Sequence, residues 1–334
     1  MRGWRAFGCA AHAGDTTLQR FAARSDDLKG RVLLSESSRE PIDCRDGPVG
    51  RCADESAVYP HKMNNGRSHS GKRLRKQSRG SVDAGTIGTA IAPLAALWAG
   101  QSSLRPVSAA SMRGIRAKAV RLGLTPELFA ARAGEAVATV ARAISDARDP
   151  GRRLPIFLLA GSDRDAVYGL ESALALADGS RRIVVGLCGA KARPEHGSAS
   201  GAWDRLESAS RVERYRIPNM REAAHFRAGL DEVALVIDAL GGAPTSVAPS
   251  RPLLAAIDLL RRARTAGVPC LAVNGPTGLD PESGARRRGA PGADVSVLFH
   301  RPLTAHQSAA SKRLLGEVLV APIGIPAEAD ALAG

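Results

Sequence analysis

Runs of apolar residues alternate with amphipathic stretches from about residue 107 to residue 326. The apolar runs predict strands at 154–161, 181–189, 232–242, 269–278, 293–299 and 316–326. The first run is continuously apolar, as expected of a strand buried on both faces of a parallel sheet. Helical spacing between the runs predicts helices at 165–179, around 202–210, around 220–229 and at 251–269. This alternation predicts an α/β fold with a doubly wound, mainly parallel sheet in a three-layer αβα sandwich, Rossmann-like in outline.

Two further helices are predicted ahead of the first strand. The stretch SAASMRGIRAKAVRLGL has apolar residues at helical spacing, with Ser108 or Ser111 as its N-cap. The next helix, 126–144, begins with proline at its first position after Thr125, which is a strong start signal. We therefore expect a folded domain over 104–328, followed by a short tail at 329–334.

The first hundred residues differ from the rest in pattern. They show little apolar periodicity, and a basic stretch between Ala57 and Val82 lacks acidic residues, so we interpret 1–103 as a disordered basic extension or linker. The uncharged stretch 84–100 resembles the apolar core of a signal or anchor, but it is short and interrupted by glycine and proline. A linker is the favoured interpretation. A start at Met63 would instead make the basic stretch a signal n-region.

Composition narrows the classes of function. The net charge of +14 favours attraction to phosphates, but the basic residues are scattered and only 4% of the 334 residues are aromatic. Stacking sites for single-stranded nucleic acid need aromatic residues, so a nucleic-acid partner is not expected. The five cysteines are too dispersed for a disulfide framework or a zinc site, which fits a cytoplasmic protein.

Three turns after predicted strands carry the candidate chemistry, because ligands of such sheets bind at the carboxyl ends of the strands. AGSDRDAVYG (160–169) is glycine-poor for a phosphate cradle. In IDALGGAPTS (237–246), Asp238 is costly to bury unless it is paired or binds a cation, and a turn-forming role is equally open. In VNGPTGLDPESG (273–284), Asn274 can orient a substrate but cannot exchange protons near neutral pH.

These turns, together with SAASMRGI (108–115) and the closing stretch GEVLVAPIGIP, resemble the YjeF N-terminal domain family of NAD(P)H-hydrate epimerases. The likeness spans 107–326. It implies that a monovalent cation, typically potassium, is held by Asp165 and Asp238. The resemblance also implies a set of residues that border the dinucleotide: Gly161, Ser162, Asp163, Arg164, Gly169, Gly242, Asn274 and Thr277.

The chain differs from the family at the positions of the acid/base residues and of the first turn. The family's acid/base aspartate falls at Asn274, and its lysine falls at Leu303. The asparagines of the family's first turn fall at Arg164 and Asp165, and three inner glycines become Asp163, Ala166 and Val167. Replacing a general base by its amide should cost about a hundred- to ten-thousandfold in rate.

Two functions follow from the resemblance. The first is an NAD(P)H-hydrate epimerase-like protein that interconverts the R and S epimers of hydrated NADH or NADPH, with reduced or lost activity. It would act beside a separate dehydratase and, as the resemblance implies, as a homodimer. The second is a catalytically inactive module for nucleotide binding or dimerisation. Asn274→Asp separates the two, because a gain of turnover requires an otherwise intact site.

Overall fold

The computed structural model describes residues 83–162, 165–241 and 247–330, and seven parallel strands form one sheet in these ranges. The strands are β1 (Ile156–Ala160), β2 (Ile183–Leu187), β3 (Val212–Arg216), β4 (Leu235–Ala239), β5 (Cys270–Val273), β6 (Val295–Phe299) and β7 (Glu317–Ala321). Their order is β3-β2-β1-β4-β5-β6-β7. The chain changes direction across the sheet between β1 and β4, and this switch point is where a crevice for ligands forms in such folds. The predicted doubly wound α/β fold is confirmed.

Ten α-helices flank the sheet in the described ranges. They are α1 (Ala84–Leu97), α2 (Ala99–Ser102), α3 (Ala109–Arg121), α4 (Pro126–Arg148), α5 (Ala166–Ala177), α6 (Gly197–Arg205), α7 (Met220–Ala224), α8 (Arg251–Thr265), α9 (Ala309–Leu315) and α10 (Ala327–Asp330). Short 3-10 helices cover Leu206–Ser208, Arg227–Glu232 and Thr304–His306. None of these described helices is both long and apolar enough to cross a membrane.

The start signals of α3 and α4 act as predicted. The Ser108 hydroxyl accepts a hydrogen bond from the Ser111 amide at 2.9 Å, which makes Ser108 the N-cap of α3. The Thr125 hydroxyl accepts one from the Leu128 amide at 3.2 Å, with Pro126 at the first position of α4.

Two layers of side chains enclose the sheet. On one face Phe129 of α4, Tyr168 of α5 and Phe299 of β6 form an aromatic cluster, with ring centroids 5.2 to 6.5 Å apart. On the other face Phe157 of β1 stacks on Phe226 at 5.4 Å. Every residue of β1, β2, β4, β5 and β6 is buried, as expected of strands that are covered on both faces.

The folded unit begins before the predicted boundary at residue 104. The stretch interpreted as a linker forms α1 and α2, and the Asp83 carboxylate accepts a hydrogen bond from the Thr86 amide at 2.7 Å to cap α1. Ile87, Ile91 and Trp98 are buried in the main core, because α1 packs on α4. At the other end, α10 occupies part of the predicted tail and buries Ala329.

Candidate functional site

Gly161 and Gly169 allow close packing at the carboxyl ends of β1 and β4. A Cβ at Gly161 would lie 2.7 Å from the carbonyl oxygen of Leu240, and one at Gly169 would lie 2.2 Å from the Cβ of Ala239. Both contacts are shorter than side chains tolerate. The two glycines that the family resemblance retains are therefore needed for helix α5 and strand β4 to pack, whatever binds nearby.

The rest of the first turn is tied to the loop before α6. The carbonyl oxygen of Ser162 accepts hydrogen bonds from the amides of Glu195 (2.9 Å) and His196 (3.4 Å). Of the other residues expected to border a dinucleotide, Asp163, Arg164 and Gly242 lie outside the described residues. Their predicted roles stay predictions.

Asp238 and Thr277 join β4 to the turn after β5. Asp238 is 1% exposed, and its carboxylate accepts hydrogen bonds from the Thr277 hydroxyl (2.6 Å), the Thr277 amide (2.7 Å) and the Leu240 amide (3.3 Å). Burial raises the pKa of Asp238 above its usual range, against the lowering effect of these hydrogen bonds. Asp238 therefore stabilises the turn after β5, which is one of the two roles that the sequence left open, and Thr277 is its hydrogen-bond partner there.

The same turn places Asn274 at its entrance. Asn274 adopts a left-handed backbone conformation, with φ of 60°, which asparagine tolerates better than most residues. Its backbone N–H donates to the carbonyl oxygen of Val297 at 2.8 Å, so the residue continues the parallel pairing of β5 with β6. Asp280 closes the turn by accepting hydrogen bonds from the amides of Glu282 and Ser283.

A cavity of about 90 Å³ brings three of the expected positions together. Asp165 at the start of α5, Asn274 after β5 and Leu303 after β6 all line it, and α3 forms another wall. Asp238, Thr277, Gly161 and Gly169 are not among its lining residues. The structure thus separates the predicted residues into a group at the cavity and a group that packs the strand ends.

Three arginines at this cavity were missed from the sequence: Arg113, Arg116 and Arg301. Arg113 and Arg116 are three residues apart on α3, and that spacing was a signal that they share a face. Arg301 follows β6 and forms a bidentate salt bridge to Asp330, with Nε–Oδ1 at 2.7 Å and Nη2–Oδ2 at 2.5 Å.

Asp330 anchors α10 to the edge of this cavity. Burial would raise the pKa of Asp330, but the hydrogen bonds from Arg301 and the proximity of His300 outweigh it and hold the pKa below its usual range. His300 Nε2 lies 2.9 Å from Asp330 Oδ1. The carboxylate that belongs to the predicted tail therefore orients Arg301, and no local sequence signal linked two residues so far apart in the chain.

The two expected cation ligands, Asp165 and Asp238, differ in whether their carboxylate oxygens already have hydrogen-bond partners. One carboxylate oxygen of Asp165, Oδ1, is buried and has no hydrogen-bond partner within the described ranges, which suits a bound cation. Both oxygens of Asp238 already accept hydrogen bonds. No cluster of three or more His, Cys, Asp or Glu side chains that could hold a metal occurs in the described part of the chain. A monovalent cation fits Asp165 better than Asp238.

Comparisons with known proteins identify relatives. The family model for the YjeF-related protein N-terminus matches residues 127–305, just over half of the chain. Two curated relatives are each 34% identical over 100 residues, or 30% of this chain: the bifunctional NAD(P)H-hydrate repair enzymes Nnr of Pyrobaculum aerophilum and Methanothermobacter thermautotrophicus. The match spans only 19% and 18% of their lengths.

A solved structure supports the fold. The crystal structure of yeast ynu0, YNL200c, superposes with a TM-score of 0.50 at 19% identity and covers 60% of this chain and 82% of the yeast chain. At this identity the likeness speaks for architecture alone, and it agrees with the parallel sheet described above.

Proposed function

Because the chain belongs to the YjeF-related protein N-terminus family, we propose that it is an NAD(P)H-hydrate epimerase-like protein whose acid/base step is weakened. The relatives named as NAD(P)H-hydrate repair enzymes support hydrated NADH or NADPH as the ligand. The observation that carries the proposal is that Asn274 and Leu303, the positions of the family's acid/base aspartate and lysine, line one cavity with Asp165.

The side chains that line the cavity determine how much of the family's acid/base chemistry this chain could perform. Epimerisation at the hydrated nicotinamide carbon needs groups that give and take protons. The Asn274 amide can hold a substrate group by hydrogen bonds but stays neutral across physiological pH, and Leu303 supplies no charge at all. Among the described residues that line the cavity, Asp165 supplies the carboxylate, so residual turnover would depend on it.

The assembly around the site belongs to the same proposal. A potassium ion beside Asp165 would supply fixed positive charge for the ligand's phosphates, and the buried oxygen without a partner supports this placement. We also propose that the chain is a homodimer and that a separate dehydratase consumes the epimer it forms.

The test is an epimerisation assay on purified full-length protein with potassium present. Hydrated NADPH enriched in one epimer would be followed by chromatography that resolves the two epimers. We expect wild-type turnover near the spontaneous rate and a gain of about a hundredfold or more for Asn274→Asp, because the variant restores a general base. Asn219→Asp is the matched control, since it makes the same change at the N-cap of α7, away from the cavity.

Binding of hydrated NADPH, measured by calorimetry, separates the remaining outcomes. Binding with no gain in Asn274→Asp or in Asn274→Asp combined with Leu303→Lys would leave an inactive nucleotide-binding module. Failure of both wild type and Asn274→Asp to bind hydrated NADPH would overturn the proposal.

A further inference from the structure

A second, larger cleft of about 280 Å³ adjoins the small cavity and shares Arg113 and Arg116 with it. It lies between α3, the start of α4 and the amino-terminal ends of α5 and α6. The proposed epimerase chemistry uses none of the residues that are particular to it. Its volume suits a ligand of one or two rings, since sites for drug-sized molecules begin near 300 Å³.

The walls of this cleft are apolar and partly aromatic. Val120 and Leu124 border it on one side, and Val167, Phe129 and Tyr168 border it on the other. The rings of Phe129 and Tyr168 have centroids 5.6 Å apart and are only 7% and 5% exposed, so they form the floor of the lining. The exposed apolar residues of the cleft are Ala117, Val120 and Pro126. Val167 contributes to the wall with a side chain that the family's glycine lacks.

Arg116 places a positive charge at this aromatic wall. Its guanidinium carbon lies 4.7 Å from the ring centroid of Phe129 and 5.8 Å from that of Tyr168, and Nη1 is 3.4 Å from the Tyr168 hydroxyl. Its Nε is buried without a hydrogen-bond partner among the described residues, and no described carboxylate forms a salt bridge with it. Arg113, by contrast, is paired with Glu282.

We propose that this cleft binds an aromatic monocarboxylate, with its rings against the exposed apolar side chains of Ala117, Val120 and Pro126 and its carboxylate on Arg116. A guanidinium recognises a carboxylate through two parallel hydrogen bonds, and no described carboxylate already occupies Arg116. A phosphate has a second charge and a third oxygen, which this mainly apolar lining does not serve. Binding at this cleft would be independent of the proposed epimerase chemistry.

The experiment is calorimetric titration of the full-length protein with 2-naphthoate as the probe. Its neutral counterpart, 2-naphthalenemethanol, has the same rings without the charge. We expect 2-naphthoate to bind at least about tenfold more tightly, because a hydrogen bond to a charged group contributes that much or more. Arg116→Gln should remove this preference, while Arg121→Gln, an exposed arginine on the same helix, should retain it.

Blocking the cleft gives a second test that leaves Arg116 in place. Ala117 is exposed and lines the cleft, so Ala117→Trp should fill the space without disturbing the core and abolish binding of both compounds. Circular dichroism establishes that each variant is folded. Equal affinity for the acid and the alcohol in wild type, or unchanged 2-naphthoate binding in folded Ala117→Trp or Arg116→Gln, would overturn the proposal.

Discussion

His306 is a buried histidine beside the turn that carries Asn274. It is 3% exposed, and a Cβ added to Gly275 would lie 3.7 Å from its Cε1. Burial lowers the pKa of His306 to about 4, because a charged imidazole would lose its hydration there. Its Nδ1 has no hydrogen-bond partner in the described part of the chain.

His306 should therefore make the fold sensitive to mild acid. In the unfolded chain a histidine protonates near pH 6.5, whereas the folded value is about 4. The unfolded state then binds more protons between these values, so stability falls as the pH drops from 6.5 to 4, by on the order of 3 kcal/mol. Urea unfolding at several pH values would measure this loss.

The difference between wild type and His306→Gln isolates that contribution. Asp238 has a raised pKa and acts with the opposite sign, since its burial cost is relieved as the pH falls. We expect the pH dependence to become flatter in His306→Gln and to be unchanged in His196→Gln, which replaces an exposed histidine. Identical slopes for wild type and His306→Gln would contradict the assignment.

At the scale of elements, the packing of α5 on β4 depends on Gly169. Because a Cβ there would approach that of Ala239 to 2.2 Å, Gly169→Ala should destabilise the protein by about 1–3 kcal/mol. Gly201 in α6 is the matched control, since a Cβ there would meet nothing within 4 Å and alanine should stabilise the helix by about 0.5–1 kcal/mol. Denaturant unfolding measures both. Unchanged stability in Gly169→Ala would contradict this packing role and would favour a role for Gly169 in ligand binding.

Which elements could be predicted follows from how they are buried. β1 and β4 are buried on both faces, so their residues are apolar except for Asp238, and such apolar runs indicate strands without further information. β3, with the sequence VERYR, was missed because it lies at the sheet edge and buries only Tyr215 among its five residues. Its charged side chains pair with neighbours, such as Arg182 with Glu213, that no local pattern reveals.

In the candidate site, the residues whose positions follow from the topology of the sheet could be predicted from the sequence. Asn274, Asp165 and Leu303 lie just after strands or at a helix start, so topology alone brings them to one edge of the sheet. The arginines reach that edge by other means. Arg116 arrives because α3 packs over the aromatic cluster, and Arg301 is held by Asp330 from the far end of the domain. Such tertiary contacts leave no periodic pattern.

At the scale of the whole molecule, the core extends into α1. Ile87 and Ile91 are 5% and 2% exposed and belong to the same cluster as α4 and the central strands. Truncating one buried isoleucine to alanine costs about 2–5 kcal/mol, and the net stability of a typical domain is only about 5–15 kcal/mol. The cluster that surrounds the sheet is therefore incomplete without α1, although the composition of 84–100 suggested a linker.

A comparison of two fragments tests this. We expect fragment 81–334 to unfold cooperatively and fragment 104–334, which lacks α1 and α2, to unfold at least about 10 °C lower, because 1 kcal/mol shifts the midpoint of a domain this size by about 2–4 °C. Within fragment 81–334, Ile91→Ala should lower the midpoint while Leu97→Ala, at a position 74% exposed, should not. Equal midpoints for the two fragments would show that α1 adds nothing to the core, and the domain would then begin at residue 104 as the sequence pattern suggested.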